Sequence, residues 1–204
     1  MKFFKLDQKP LSDTLKADFF ITMSLRDVIE ADKIQELENH FDLKYNECLG
    51  NESALNRLRK AYFLKYDRLL NLSENHQILN QKGIADKIKN VLLEYNGSLY
   101  HIMAFTIMPN HIHVLFKLKN PEQNKLQQRL DGVTSLLKEQ LNQNLDQYVE
   151  LGDNLWTGFN CAYHLSQEKE VINLISYIIE DPVKVRLVNY WKDYPYTFIN
   201  PDHI

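Results

Sequence analysis

Apolar side chains alternate in some stretches of this chain and recur at three- and four-residue intervals in others, and the two rhythms divide it into strands and helices. DFFITMSLR, from Asp18 to Arg26, is dense in aromatic and β-branched residues and predicts a first strand. VIEADKIQELENHF and ALNRLRKAYFLKYDRLLNLS predict helices, the second with Leu55, Leu58, Tyr62, Leu69 and Leu72 along its apolar stripe. GIADKIKNVLLEYNGS is a shorter amphipathic helix that stops at Asn96-Gly97. LYHIMAFTIMP and HIHVLFKLK read as the two strands of a hairpin that turns at Pro109-Asn110. A long helix is expected from Pro121 to Leu145, with Gly132 as a flaw within it, and a strand from Leu155 to Leu165. SQEKEVINLISYIIEDPVK then predicts a helix with Ser166 as N-cap and Glu168 and Glu170 in its first turn, ended by Pro182. The order β, long helical region, β, β, α, β, α is that of an α+β fold built on an antiparallel sheet with helices packed on it. Repeats, low-complexity tracts and linkers are absent from the sequence, so residues 1–204 are expected to form one domain, with a helical insertion at about 28–80.

Composition fits that picture. Of 204 residues, 44% are hydrophobic and 25% charged, enough for one substantial core. No apolar run approaches the roughly 20 residues that span a bilayer, and MKFFKLDQKP lacks the form of a secretory signal, so a cytoplasmic protein without a membrane partner is expected. Cys48 and Cys161 stand far apart with no Cys-x-x-Cys spacing and read as reduced residues. The net charge of −3 argues against nucleic acid, but its distribution changes the inference. Arg57, Arg59, Lys60, Lys65 and Arg68 cluster against Asp67 alone, and Lys117, Lys119, Lys125 and Arg129 follow the second hairpin strand. Lys184, Arg186 and Lys192 lie further on. Phosphate contacts need only such local surface, although solvated helix faces would read the same way.

The candidate chemistry starts at TIMPNHIHVLF. In a strand, His111 and His113 share one face, while Ile112, Val114, Phe116 and Leu118 share the other. Two imidazoles can supply two ligands to a divalent cation but need a further group from elsewhere. In the last predicted helix Val171, Leu174, Ile175 and Ile178 form the buried stripe, and steps of four from Tyr177 reach Asn173 and Asp181. The Asp181 carboxylate is a candidate to complete a His-His-Asp set, and the Tyr177 phenol is a candidate nucleophile. Each has an ordinary alternative. Paired histidines can be half-buried hydrogen-bonding residues, Tyr177 is one of 11 tyrosines, Asp181 can simply end a helix before proline, and Asn110 can belong to the turn. His40, His76, His101, His164 and His203 carry no assigned role.

MPNHIHVLF resembles the HUH signature of the single-tyrosine transposases of the insertion-sequence (IS200-like) type, and YIIEDPVKVRLV, Tyr177 to Val188, resembles their tyrosine block. FFITMSLRD and DYPYTF are similar to the first strand and closing segment of the REP-associated tyrosine transposase branch, so the resemblance runs from about Phe19 to Phe198. It implies a ferredoxin-like sheet. It also implies that His111 and His113 bind a divalent cation, magnesium or manganese, and that Tyr177 attacks a DNA phosphodiester to leave a 5′-phosphotyrosine and a free 3′-hydroxyl. The implied substrate is single-stranded or hairpin DNA, handled by a homodimer or a monomer. Asp181 stands where the family usually has Asn or Gln, which keeps an oxygen ligand and adds negative charge. Gly158 replaces a basic residue after Trp156, and Asp131 and Gly132 replace a more basic helix segment. Two rival readings follow: a hairpin-DNA binder that no longer cuts, and a metal-dependent phosphodiesterase whose nucleophile is water.

Overall fold

A computed structural model describes residues 17–122, 125–145, 155–165 and 168–203. Five strands, β1 (Asp18–Leu25), β2 (Tyr100–Ile107), β3 (His111–Leu118), β4 (Trp156–Leu165) and β5 (Thr197–Ile199), form one sheet in the order β4-β1-β3-β2-β5. Every pairing is antiparallel. The first four strands stand in the ferredoxin-like arrangement, with β3 between β1 and β2, and β5 extends one edge. Three helices, α1 (Ala31–Cys48), α2 (Glu52–Leu72) and α3 (Lys82–Glu94), connect β1 to β2. Helix α4 (Leu126–Leu145) joins β3 to β4, and α5 (Glu168–Lys184) precedes β5.

Alternation in β3 places Ile112, Val114, Phe116 and Leu118 on one face, opposite Met23, Ile21 and Phe19 of β1. That face is the apolar core, where Tyr100 donates its hydroxyl to the Leu92 carbonyl of α3, 2.8 Å away. On the other face His111 pairs across from Ser24, and His113 from Thr22 and Thr106. This polar face is also closed to solvent, because α2 and α5 lie over it: Phe20 of β1 meets Phe63 of α2 edge-on, with ring centres 5.2 Å apart, and Tyr177 of α5 at 6.4 Å.

Local signals fix several of the element ends. The Asn51 carboxamide caps α2 by accepting from the Ala54 N–H at 3.0 Å. Gly97 adopts φ of 85°, the left-handed conformation that the chain needs to turn from α3 into β2. Three expectations need correction. The long helix after β3 begins at Leu126 rather than Pro121. The inward stripe of α2 is Leu55, Tyr62, Phe63, Tyr66, Asp67 and Leu70, whereas Leu72 is 68% exposed. Finally, Pro182 does not end α5, which runs on to Lys184. Proline lacks only its own N–H, and its carbonyl still accepts from Leu187 N–H at 2.9 Å while Arg186 N–H reaches Val183 at 3.0 Å. This pair of bonds closes the helix with Arg186 at φ of 62°. Ser166, the expected cap, lies outside the described residues, as do the Cys161 side chain and the surroundings of Gly158. Strand β5, three residues long, has no alternation in the sequence to announce it.

Candidate metal centre

Four side chains from three elements converge beneath α2 and α5. Asp67 comes from α2, His111 and His113 from β3, and Asp181 from α5; all four are buried, and one ligand atom from each lies within 4.8 Å of the others. His113 Nε2 is 2.9 Å from Asp67 Oδ1 and 3.4 Å from Asp181 Oδ2. His111 Nε2 is 3.8 Å from the same two oxygens and 3.2 Å from His113 Nε2. The sequence-derived His111, His113 and Asp181 are thus brought together, and Asp67 joins them.

The outer hydrogen bonds aim these atoms inward. Asn110 Nδ2 donates to the carbonyls of Leu70 at 3.1 Å and Ser73 at 3.3 Å, at the C-terminal end of α2. That fixes its carboxamide so that Oδ1 faces His111 Nδ1 at 2.7 Å. Only an N–H can satisfy this oxygen, so His111 carries its proton on Nδ1 and, when neutral, turns the Nε2 lone pair toward the cluster. His113 Nδ1 is held by the Thr22 hydroxyl at 2.8 Å, which leaves its Nε2 for the same centre. Asn71 Nδ2 spans the two carboxylates, reaching Asp67 Oδ2 at 3.0 Å and Asp181 Oδ1 at 3.2 Å. The remaining oxygens, Asp67 Oδ1 and Asp181 Oδ2, are buried and face the two imidazole Nε2 atoms. Once His113 gives up its Nε2 proton, two inward lone pairs and two carboxylate oxygens can serve as the donor set of a divalent cation, with outer hydrogen bonds of the kind that orient such ligands.

Electrostatics agree with that reading. Burial lowers the pKa of His111, and a protonated His113 beside it lowers it further, against the pull of the carboxylates. Burial also opposes charge on His113, but its closer approach to Asp181 and Asp67 prevails and raises it to about 9. One proton on His113 therefore offsets part of the negative charge, at the position a cation would take. Burial would raise Asp181, yet hydrogen bonds and charge from His111 and His113 hold it well below the usual carboxylate range.

Tyr177 reaches the same cluster from one turn earlier in α5, and its hydroxyl donates a hydrogen bond to Asp67 Oδ2. Its ring lies 5.8 Å from that of His113, and the Lys184 ammonium sits 4.5 Å from its centre. Reasoning from sequence missed Asp67, Asn71 and the full role of Asn110. For Asp67 the signal was its position: the one acid of a basic segment, falling on the inward face of α2. Asn110 is in the turn, as expected, and is also the clamp between that turn and α2.

Comparison with known proteins sets this geometry in context. The family model described as Transposase IS200 like matches residues 60–181, from within α2 to the Asp181 carboxylate. A candidate REP-associated tyrosine transposase of Haemophilus influenzae is 29% identical over 137 residues, which cover 58% of this chain and 77% of that protein. Among solved structures, a REP-associated tyrosine transposase bound to a REP hairpin superimposes with a TM-score of 0.51 at 15% identity, over 93% of this chain and 81% of that one, a likeness of fold. Among the described residues, no helix is long and apolar enough to cross a membrane.

Proposed function

Because the chain belongs to the IS200-like transposase family, we propose that it nicks and rejoins single-stranded or hairpin DNA, with Tyr177 as nucleophile and a divalent cation, magnesium or manganese, held by His111, His113, Asp181 and Asp67. The observation that carries this reading is the hydrogen bond from the Tyr177 hydroxyl to Asp67, the carboxylate that also approaches His113. Nucleophile and cation ligands then belong to one chain, and no exchange of α5 with a second copy is needed to bring them together.

The roles follow from position. A cation at these ligands would polarise the scissile phosphate and offset the charge that builds on its oxygens. Tyr177 attacks phosphorus as its O–H proton passes to Asp67, the P–O3′ bond breaks, the departing 3′-oxygen takes a proton from water to become a free 3′-hydroxyl, and a 5′-phosphotyrosine remains. Rejoining reverses these steps and needs no nucleotide cofactor, because the phosphotyrosine ester conserves the bond energy. Asn71 holds the two carboxylates in register, and Lys184 places positive charge beside the attacking ring. Substrate class is carried over from a structural neighbour that is bound to a REP hairpin.

The test is a labelled hairpin and single-strand pool incubated with the protein and manganese. A covalent protein–DNA adduct is expected, absent from Tyr177→Phe and from His113→Ala. A retarded complex with no adduct from the unmodified protein would make it a binder. Cleavage that survives Tyr177→Phe would assign the attack to water.

A further inference from the structure

A cavity of about 160 Å³ opens between α2 and α5 beside the cluster. Phe20, Phe63 and Leu174 form apolar walls, Tyr177 closes the end nearest the carboxylates, and Lys60 and Asn173 stand exposed at its mouth. The sheet-side wall is continuous with the metal centre, since the Phe20 ring stacks on His113 with centres 5.3 Å apart. Along α2 the lining residues Lys60 and Phe63 lead, turn by turn, to Asp67; along α5 Asn173 and Leu174 lead to Tyr177 and Asp181. Helical rise puts Tyr177 about 6 Å from Asp181, so the cavity lies roughly one nucleotide's reach from the cluster.

We infer that this cavity receives the nucleobase next to the scissile phosphate, flipped out of its strand, and reads its identity. This rests on the reading of Tyr177 as a DNA-cleaving nucleophile. Three properties point to a base as the occupant. The cavity is smaller than the 300–1,000 Å³ of sites for drug-sized ligands, so it suits one planar ring system rather than a whole nucleotide or a folded peptide. Its walls offer aromatic edges and aliphatic surface to a ring face, the environment in which flipped bases are held. Its mouth then supplies what the rest of a nucleotide needs: the Lys60 ammonium for a flanking phosphate, and the Asn173 carboxamide, a donor and an acceptor together, for a base edge, with Glu170 able to accept from an exocyclic amine. A purely hydrocarbon ligand would use none of these groups. The device would add base selectivity at the cut to whatever hairpin recognition lies elsewhere on the protein.

The experiment titrates each of the four deoxynucleoside monophosphates into the full chain, in EDTA, and follows the methyl resonances of Leu64 and Leu174 by NMR. Saturable shifts with some bases and not others are expected, weakened about tenfold or more in Leu174→Trp, which fills the cavity. Leu64→Arg, at a position already 45% exposed in the folded chain, is the second variant and should weaken the same response. Adducts formed on oligonucleotides randomised beside the cut should show a base preference that both variants flatten. Absence of methyl shifts with every nucleotide would overturn the inference, as would shifts produced by toluene but not by nucleotides. A base preference unchanged in both variants would overturn it too. Nucleotide-dependent shifts in a protein that forms no Tyr177 adduct would leave the pocket standing and remove the cleavage reading instead.

Discussion

Around the centre of the sheet both faces are closed to solvent, and they are opposite in chemistry. One is lined by Phe19, Ile21, Met23, Ile112, Val114 and Phe116; the other by Thr22, Ser24, Thr106, His111 and His113, all of them buried. The apolar face stabilises through area removed from water and asks little of geometry. The polar face must pair every group it buries, and the helices above it supply Asp67 and Asp181, whose inward oxygens face His113. The same strands thus hold the fold with one set of alternating residues and the chemistry with the other. A one-residue slip in register would exchange the two sets.

The contrast is sharpest where one face is damaged and the other spared. Phe116→Ala on the apolar face should cost about 3–5 kcal/mol of stability, whatever the metal content, as read from urea unfolding in EDTA and in manganese. The polar face should respond to cation instead. Manganese at about a hundred times its dissociation constant should stabilise the protein by about 2.7 kcal/mol, and EDTA should remove the gain. His113→Ala should abolish that difference, and equal stabilisation of the variant by manganese would place the ion elsewhere.

Titration separates the faces again. His113 is raised in the folded protein to about 9 from an ordinary 6.5, so its contribution to metal-free stability is complete below about pH 6.5 and is lost as pH rises through about 9. Asp181 is depressed, so its contribution is present above its ordinary value near 3.8 and is lost on acidification. Manganese must displace the His113 proton, so its affinity should rise by about tenfold per pH unit between those two His113 values, while metal-free stability falls. Calorimetry at several pH values checks the slope, and a flat profile would mean that no proton is displaced. The smallest effect is expected at the end of α5. Arg186→Gly relieves the left-handed backbone at the end of α5 and should add up to about 1 kcal/mol, measured by thermal unfolding.

How far the sequence carried these conclusions depended on range. Alternation is local, and it placed His111 and His113 on one face without reference to any other element. Helical periodicity put Asp181 one turn from Tyr177, and the resemblance of both blocks to transposase motifs joined them to the histidines. The ferredoxin-like strand order was reached by the same route. Asp67 was not, because its neighbours Lys65 and Arg68 made the segment read as a charged surface, and assigning Leu72 to the apolar stripe rotated the inward face away from it. An acid at the i, i+4 and i+7 register of Phe63 and Leu70 was the available sign. Asn71 and the cavity stayed hidden for a different reason: each is defined by the distance between α2 and α5, a tertiary quantity with no local correlate.

That distance has a consequence in time. Asp67 and Tyr177 are 110 residues apart in the chain, as are Asn71 and Asp181. Contacts of such long sequence separation close late, after the shorter loops have formed. During synthesis, a ribosome that has delivered α2 and the hairpin has made Asp67 and both histidines, but not the nucleophile or the second carboxylate. On the proposed mechanism a nascent or half-folded chain would therefore have no means of cutting DNA, since the site is complete only in the finished fold.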